Sequence, residues 1–562
     1  MKLNYKNSSW LFLSIFLLFA CSKGKTPDPP PSPPAPKQVA VKNISINAIA
    51  FDNTVRGVNP SPIIRIEFTE PVTPSTVAPA IKLTDINGIE SAITTTLQNK
   101  DSVLLVQSSA PLNYISKYNF RITADLKSST GGSFLSAINN SFITKIDSSR
   151  KFPVVSENAL LDLIQQQTFK YFWDYGHPVS GLARERSNAT PETVTSGGSG
   201  FGVLAIVTGI NRGFITRAQG LARMQTIVSF LKNTAQKFHG AFPHWLNGTT
   251  GAVIPFSQYD NGADLVETSY LMMGLLTARQ YFNGADASEA TLRNDINTLW
   301  NAVEWNWFRQ NNQNVLYWHW SPNFNWQMNH PIRGWNECLI TYVLAASSTT
   351  YSIPAVVYSS GWTANGTNGF INGNSYYGLT LPLGPAYGGP LFFSHYSFLG
   401  INPNSLNDVY ANYQLQTLNH TKINYEYCKA NPKNFYGYSD STWGLTASDI
   451  QNGYTASSPT NDVGVIAPTA ALSSLPYTPT ESMKALKFFY YVLGDKIWGE
   501  YGFKDAFSLH EPWFASSYLA IDEGPIIVMI ENYRTGLLWN LFTSCPEVKA
   551  GMVSLGFSAP YL

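Results

Sequence analysis

From Val39 to about Asp147, apolar and polar positions alternate in short runs such as Ile63-Ile64-Arg65-Ile66-Glu67-Phe68, Ser102-Val103-Leu104-Leu105-Val106 and Tyr118-Asn119-Phe120-Arg121-Ile122. Pro60, Pro62, Pro71, Pro74, Gly88 and Gly131-Gly132 separate them. Alternation gives a strand one apolar face, and short strands with turn residues between them predict a β-sandwich over 39–147. After Arg150 the period lengthens. Leu160 to Trp173, Ala218 to Ala235, Leu265 to Tyr281, Ile296 to Trp307, Glu337 to Ala346, Pro479 to Leu493 and Pro525 to Leu541 carry apolar residues at helical spacing, with Gly- and Pro-rich loops between some of them. About 400 residues of helices and long loops, without strand–helix alternation, predict paired helices in a toroid over 151–562. Gly197-Gly198-Ser199-Gly200-Phe201-Gly202 reads as a tight loop entering a helix.

The front of the chain follows another pattern. Residues 1–21 combine Lys2 and Lys6 with an apolar run from Trp10 to Phe19, then Leu18-Phe19-Ala20-Cys21. The run is too short for a mature membrane span and reads as a signal peptide. A small residue before Cys resembles the bacterial lipobox, so Cys21 is the expected lipid anchor and a membrane the expected partner. Residues 22–38 form a Pro-rich tether, with seven prolines between Thr26 and Lys37. The expected location is the cell envelope, as an outer-membrane lipoprotein facing the periplasm or the cell surface. Cys338, Cys428 and Cys545 are too few for a disulfide framework and read as buried thiols.

Composition narrows the partners. Charged residues make up 13%, and 37 Lys plus Arg balance 36 Asp plus Glu, which leaves no field to hold nucleic acid. Aromatic content is 14%. Such rings stack on the apolar faces of sugars, although many of them fill a core in any large domain.

Three acidic segments carry candidate chemistry. In Tyr259-Asp260-Asn261-Gly262-Ala263-Asp264-Leu265-Val266-Glu267, Asp260 precedes a turn and Asp264 and Glu267 share a helix face. Carboxylates so placed suit glycoside hydrolysis, which needs one protonated acid and one ionised base. A capping box explains Asp264 and Glu267 equally well. Glu337 begins a second helix after Trp318-His319-Trp320 and Arg333-Gly334-Trp335, where burial raises its pKa and the helix dipole and Arg333 lower it. Asp522-Glu523-Gly524-Pro525 reads as a structural helix start with Pro525 at the first helical position. No HExxH or CxxC occurs and the eight His are scattered, so neither a metal nor another cofactor is expected.

Ordered motifs then carry a resemblance. Tyr171-Phe172-Trp173-Asp174-Tyr175, Gly181-Leu182-Ala183-Arg184-Glu185-Arg186, Phe242-Pro243-His244-Trp245, Ser394-His395-Tyr396-Ser397-Phe398, Gly444-Leu445-Thr446-Ala447-Ser448-Asp449 and Ile466-Ala467-Pro468-Thr469 resemble the glucoamylase-like domain. Within it the chain is similar to glycoside hydrolase family 144, and the stretch 64–72 resembles bacterial Ig-like modules. The resemblance implies an all-α six-hairpin α/α toroid behind an Ig-like β-sandwich, and inverting hydrolysis of β-1,2-glucan without a cofactor. It places the family's acids on Asp260, Asp264, Glu267 and Glu337, with Glu337 as general acid and the base open. Trp335, Trp320, His319, Arg333, Asp449 and Trp245 are the expected sugar-binding residues. Two alternatives stay open: action on another glucan, and a non-catalytic glycan-binding lipoprotein.

Overall fold

The structure is a computed structural model that describes residues 30–562; the signal-like segment and Cys21 lie outside the described residues. Two sheets face each other at the front. Strands β1 (Val41–Ile46), β2 (Ile49–Ala50), β4 (Ile63–Phe68), β6 (Ile93–Gln98) and β7 (Val103–Ser108) form one, in the order β2-β1-β4-β7-β6. Strands β3 (Val55–Val58), β5 (Ile81–Asp85), β8 (Lys117–Ile122) and β9 (Ile138–Thr144) form the other, in the order β3-β9-β8-β5. The apolar side of each strand meets between them: Ile64, Ile66, Leu104 and Val106 pack on Phe120, Ile122 and Phe142. This sandwich is pinned to the remainder of the chain. Arg56 Nε donates to the His510 carbonyl at 3.0 Å, and its guanidinium pairs with Glu511 at 2.9 Å. Ile115 joins an apolar cluster with Leu160 and Leu445.

The helices are α1 (Glu157–Trp173), α2 (Ser196–Asn211), α3 (Arg217–Asn233), α4 (Leu265–Tyr281), α5 (Ala287–Ala302), α6 (Leu339–Ser347), α7 (Tyr413–Ala430), α8 (Pro468–Leu472), α9 (Pro479–Tyr491), α10 (Ala520–Thr535), α11 (Leu537–Thr543) and α12 (Pro546–Ser554). Most of α2, α4 and α10 is buried, whereas α1, α3, α5 and α9 keep a solvent face. Short two-stranded hairpins sit between helices, among them Ala447–Ile450 with Gly453–Ala456 and Phe507–Ser508 with Trp513–Phe514, so this part is not made of helices alone.

Several expected boundaries move. The glycine-rich run is not a loop: it forms the first turns of α2. Glycine costs a helix about 1 kcal/mol relative to alanine, and here it permits contact that no side chain allows. A Cβ on Gly200 would stand 2.1 Å from the Tyr270 carbonyl oxygen, and one on Gly274 2.3 Å from that of Gly200. On the other flank, Gly198 meets Ala520 and Gly524 meets Phe201. The expected helix from Glu337 begins at Leu339, which leaves Glu337 in the preceding turn. Pro525 lies inside α10 rather than at its start, and the run to Leu541 breaks at Gly536, whose φ of 68° ends the helix. Helix α7 went unpredicted because it buries Gln416, Thr417, Asn419, His420 and Asn424 and shows no clean apolar stripe. Cys338, Cys428 and Cys545 are buried free thiols. Among the described residues no helix is long and apolar enough to cross a membrane.

Because backbone lies where a methyl would go, Gly200→Ala is expected to cost about 1–3 kcal/mol by overpacking. A lowered denaturant midpoint checks this; an unchanged midpoint would show that α2 and α4 have slack.

Candidate active site

Helix α4 organises the acidic segment. Asp264 is its N-cap, with Oδ1 accepting from Val266 N at 3.0 Å and from Glu267 N at 2.9 Å. The capping reading of this carboxylate therefore holds, and its other oxygen is left to face histidines. The bridge Ala263–Asp264 pairs with His319–Trp320 and sets Asp264 opposite His319. Asp264 Oδ2 lies 3.1 Å from His244 Nδ1 and 3.6 Å from His319 Nε2, and Asp260 Oδ2 lies 3.7 and 3.5 Å from the same two nitrogens. Histidines remote in sequence thus converge. His244, Asp260 and Asp264 form a donor set whose ligand atoms lie within 4.8 Å of one another, a combination that can hold a divalent cation. In the structure the same atoms also pair as base and acid.

These contacts divide the charges. Burial opposes a charge on His244, but the carboxylates of Glu267, Asp264 and Asp260 outweigh it and hold the imidazole at about 9. Burial lowers His319 to about 4. Asp260 is pushed up to about 7 by burial and then by Asp264. Burial also works against ionised Asp264, but the hydrogen bond from His244 keeps its carboxyl below the ordinary value. Glu267 is raised by burial despite accepting from Gly197 N at 2.8 Å and Thr195 Oγ1 at 3.2 Å. Glu337 is pushed up to about 7, by burial first and by the Glu267 and Asp264 charges after it. Its turn is fixed on both sides: Ser397 Oγ donates to the Glu337 carbonyl, and Asn336 Oδ1 accepts from Cys338 N at 2.9 Å.

A cavity of about 470 Å³ gathers Glu337, Glu267, Glu185, His244, Trp245 and Tyr396. Tyr454 and Phe256, about half exposed, stand at its rim. Asp260 and Asp264 lie behind the wall and reach the cavity through His244. Of the expected sugar-binding residues, only Trp245 lines it. Trp335 is a core side chain against Phe398 and Tyr413. Trp320 packs on Phe238, His239 and Trp307, His319 faces the acids, and Arg333 is exposed elsewhere. Asp449 pairs with Arg186 at 3.0 Å and borders an adjoining hollow. Trp318, Tyr270, Tyr396, Tyr454 and Glu185 line the cavity without having been singled out. The Gly-Leu-Ala-Arg-Glu-Arg motif was the available signal for Glu185.

Another acidic group lies behind Asp449. Asp505 Oδ2 accepts from Asp449 N at 2.6 Å. Burial, and after it the Asp449 charge, pushes Asp505 up to about 7; burial, and after it the Asp505 charge, holds Asp522 well above the ordinary carboxyl value. Asp522 and Glu523 occupy the first turn of α10, yet neither side chain caps it, so the capping reading does not hold. A further hollow of about 550 Å³, between Ser156, Lys487 and Tyr491, has the Glu157–Lys487 pair at its edge and no converging acids.

With this geometry in place, comparison with known proteins gives the lineage. Residues 329–546 match the Glycoamylase family model, described as "Putative glucoamylase", and residues 40–144 match the bacterial Ig-like domain. An endo-β-1,2-glucanase from Chitinophaga pinensis, solved with sophorotriose and glucose, is 54% identical with a TM-score of 0.71, covering 73% of this chain and 100% of that one. The chain belongs to glycoside hydrolase family 144. A β-1,2-glucanase structure from Parabacteroides distasonis is 38% identical with a TM-score of 0.70, covering 93% of this chain and 74% of that one. An exo β-1,2-glucooligosaccharide sophorohydrolase (non-reducing end) from the same organism is 46% identical over 435 residues, 74% of this chain. The chain spans 60% of that relative's length.

His244 gives this family member a testable pH dependence. A histidine raised in the folded state adds stability that is complete below its unfolded value near 6.5 and lost as pH rises through about 9. His244→Gln is expected to flatten the fall in unfolding midpoint between pH 6.5 and 9; an unchanged slope would show that the imidazole is not held cationic.

Proposed function

We propose that the chain is a β-1,2-glucan hydrolase acting by inversion, with Glu337 as general acid. The observation that carries this reading is a carboxyl held near pKa 7 in a cavity it shares with Glu267 and several aromatic rings. At neutral pH a large share of Glu337 keeps its proton and can give it to the leaving glycosidic oxygen as the bond breaks. In the same step water attacks the anomeric carbon from the opposite face and passes a proton to an ionised acid. The group of Glu267, Asp260, Asp264 and His244 supplies an ionisable wall for that role. His244, cationic and hydrogen-bonded to Asp264, keeps negative charge on that side. Trp245, Phe256, Tyr396 and Tyr454 offer faces to neutral sugar rings, and no net charge favours an anionic substrate. The linkage follows from what the named relatives act on.

The helices are proposed to close as a six-hairpin α/α toroid around this cavity, a reading supported by the buried row of α2, α4 and α10 beneath an outer row. Lipid attachment at Cys21 and a place in the cell envelope belong to the same proposal, and rest on the small residue before Cys21 and the Pro-rich tether.

Glu337→Gln is expected to lower kcat on β-1,2-glucan by about 10²–10⁴-fold while glucan binding persists, with wild-type activity falling as pH rises through about 7. Reducing-end assays together with calorimetric binding check this; near-wild-type turnover by the variant would remove Glu337 from the role.

A further inference from the structure

One strand, Ala447–Ile450, and the bridged pair Arg186 and Leu519 run past the cavity, and their chains continue beyond it. Ala447, Arg186 and Leu519 line the cavity. Asp449, two positions along the strand Ala447–Ile450 from Ala447, lines an adjoining hollow of about 270 Å³, together with Asn188 and Ser517, each two positions in the chain from the bridged pair Arg186 and Leu519. Residues two apart on an extended strand point to one face and lie about 7 Å apart. One wall therefore serves both spaces, displaced by about the length of a sugar ring.

The hollow's chemistry matches that wall. Its floor holds Asp449, whose charge is met by Arg186 Nη1 at 3.0 Å and whose Oδ2 accepts from Ser517 Oγ at 2.5 Å. The pairing leaves no free charge to attract an ion. Exposed Asn188 and Ser516 offer uncharged hydrogen-bonding groups, and half-buried Trp513 offers an indole ring. An aromatic ring beside uncharged polar groups fits a hexose better than a phosphate or a charged peptide.

Trp513 is also held from outside the helical part. Its strand pairs with Phe507–Ser508, Trp513 opposite Ser508. The turn between them carries His510 and Glu511, the residues gripped by Arg56 of the β-sandwich; Lys117 Nζ lies 3.9 Å from Glu511. The sandwich is thereby anchored two residues from the indole.

We infer that this hollow is an outer glucosyl subsite, which seats a further ring of a neutral β-glucan chain whose scissile bond lies at Glu337, and that the Ig-like domain braces it. The inference rests on the glucan-hydrolase reading. It accounts for a β-sandwich whose charged and hydrogen-bonded grip by Arg56 falls on the turn next to Trp513.

The test compares kcat/KM over linear β-1,2-glucooligosaccharides of increasing length and on polymeric glucan. Trp513→Ala is expected to lose about tenfold on chains long enough to reach the hollow and less than about twofold on the shortest chain cleaved. Trp513→Phe should retain most of the long-chain rate, and Arg56→Ala should lose in the same direction by less. An equal loss at every length, or no loss on long chains, would overturn the subsite. If the wild-type chain leaves β-1,2-glucan uncut, the hydrolase reading fails. The subsite then stands or falls on binding of the polymer, weaker for Trp513→Ala if it exists and equal if it does not.

Discussion

The site depends on how closely α2 can lie against α4. Gly197 N donates to the Glu267 carboxylate at 2.8 Å, and a Cβ at that position would stand 2.5 Å from the same oxygen. The start of α2 can therefore meet the acid only as bare backbone. Gly200 and Gly274 extend the approach along both helices, and Gly198 and Gly524 repeat it between α2 and α10. Glycine makes each helix intrinsically poorer, and the resulting contact brings backbone dipoles and buried acids together.

That proximity makes the electrostatics collective. Glu267, Asp264 and Asp260 are near enough to one another that water alone does not screen them. One histidine is drawn into the cationic form while its neighbour His319 is left neutral. Negative charge concentrates behind His244, and Glu337, in the same cavity, keeps a large share of its proton at neutral pH through burial and repulsion together. General acid catalysis requires that separation of one protonated and one ionised side. Capping and pairing with His244 are not rival uses of Asp264, since its two oxygens face different partners.

Much of this was legible along the chain. Alternation disclosed the sandwich strands, and helical spacing disclosed α1, α3, α4 and α9 within a few residues. The four acids converge on one region because two of them begin α4 and a third sits in the turn before α6. The rest was hidden for physical reasons. A helix opening on four glycines reads as a loop until its neighbour's backbone is in view. Helix α7 buries amides and hydroxyls among its apolar side chains, so its inner face carries no clean apolar stripe. Aromatic residues near an acid in sequence were no guide to the cavity: Trp335 and Trp320 pack away from it, whereas Tyr396 and Tyr454 arrive from more than fifty positions downstream. Scattered histidines were equally uninformative, because the Asp264–His319 bridge exists only after folding.

The central claim is that the fold raises Glu337 enough to keep a large share of it protonated at neutral pH. Carbon-detected NMR of glutamate side chains labelled with ¹³C, titrated in the full chain and in Glu337→Gln, measures this directly. The carboxyl signal absent from the variant should titrate near 7. A midpoint at or below the ordinary glutamate value of about 4.3 would show that the carboxyl is ionised where it is needed as an acid, and would contradict the account.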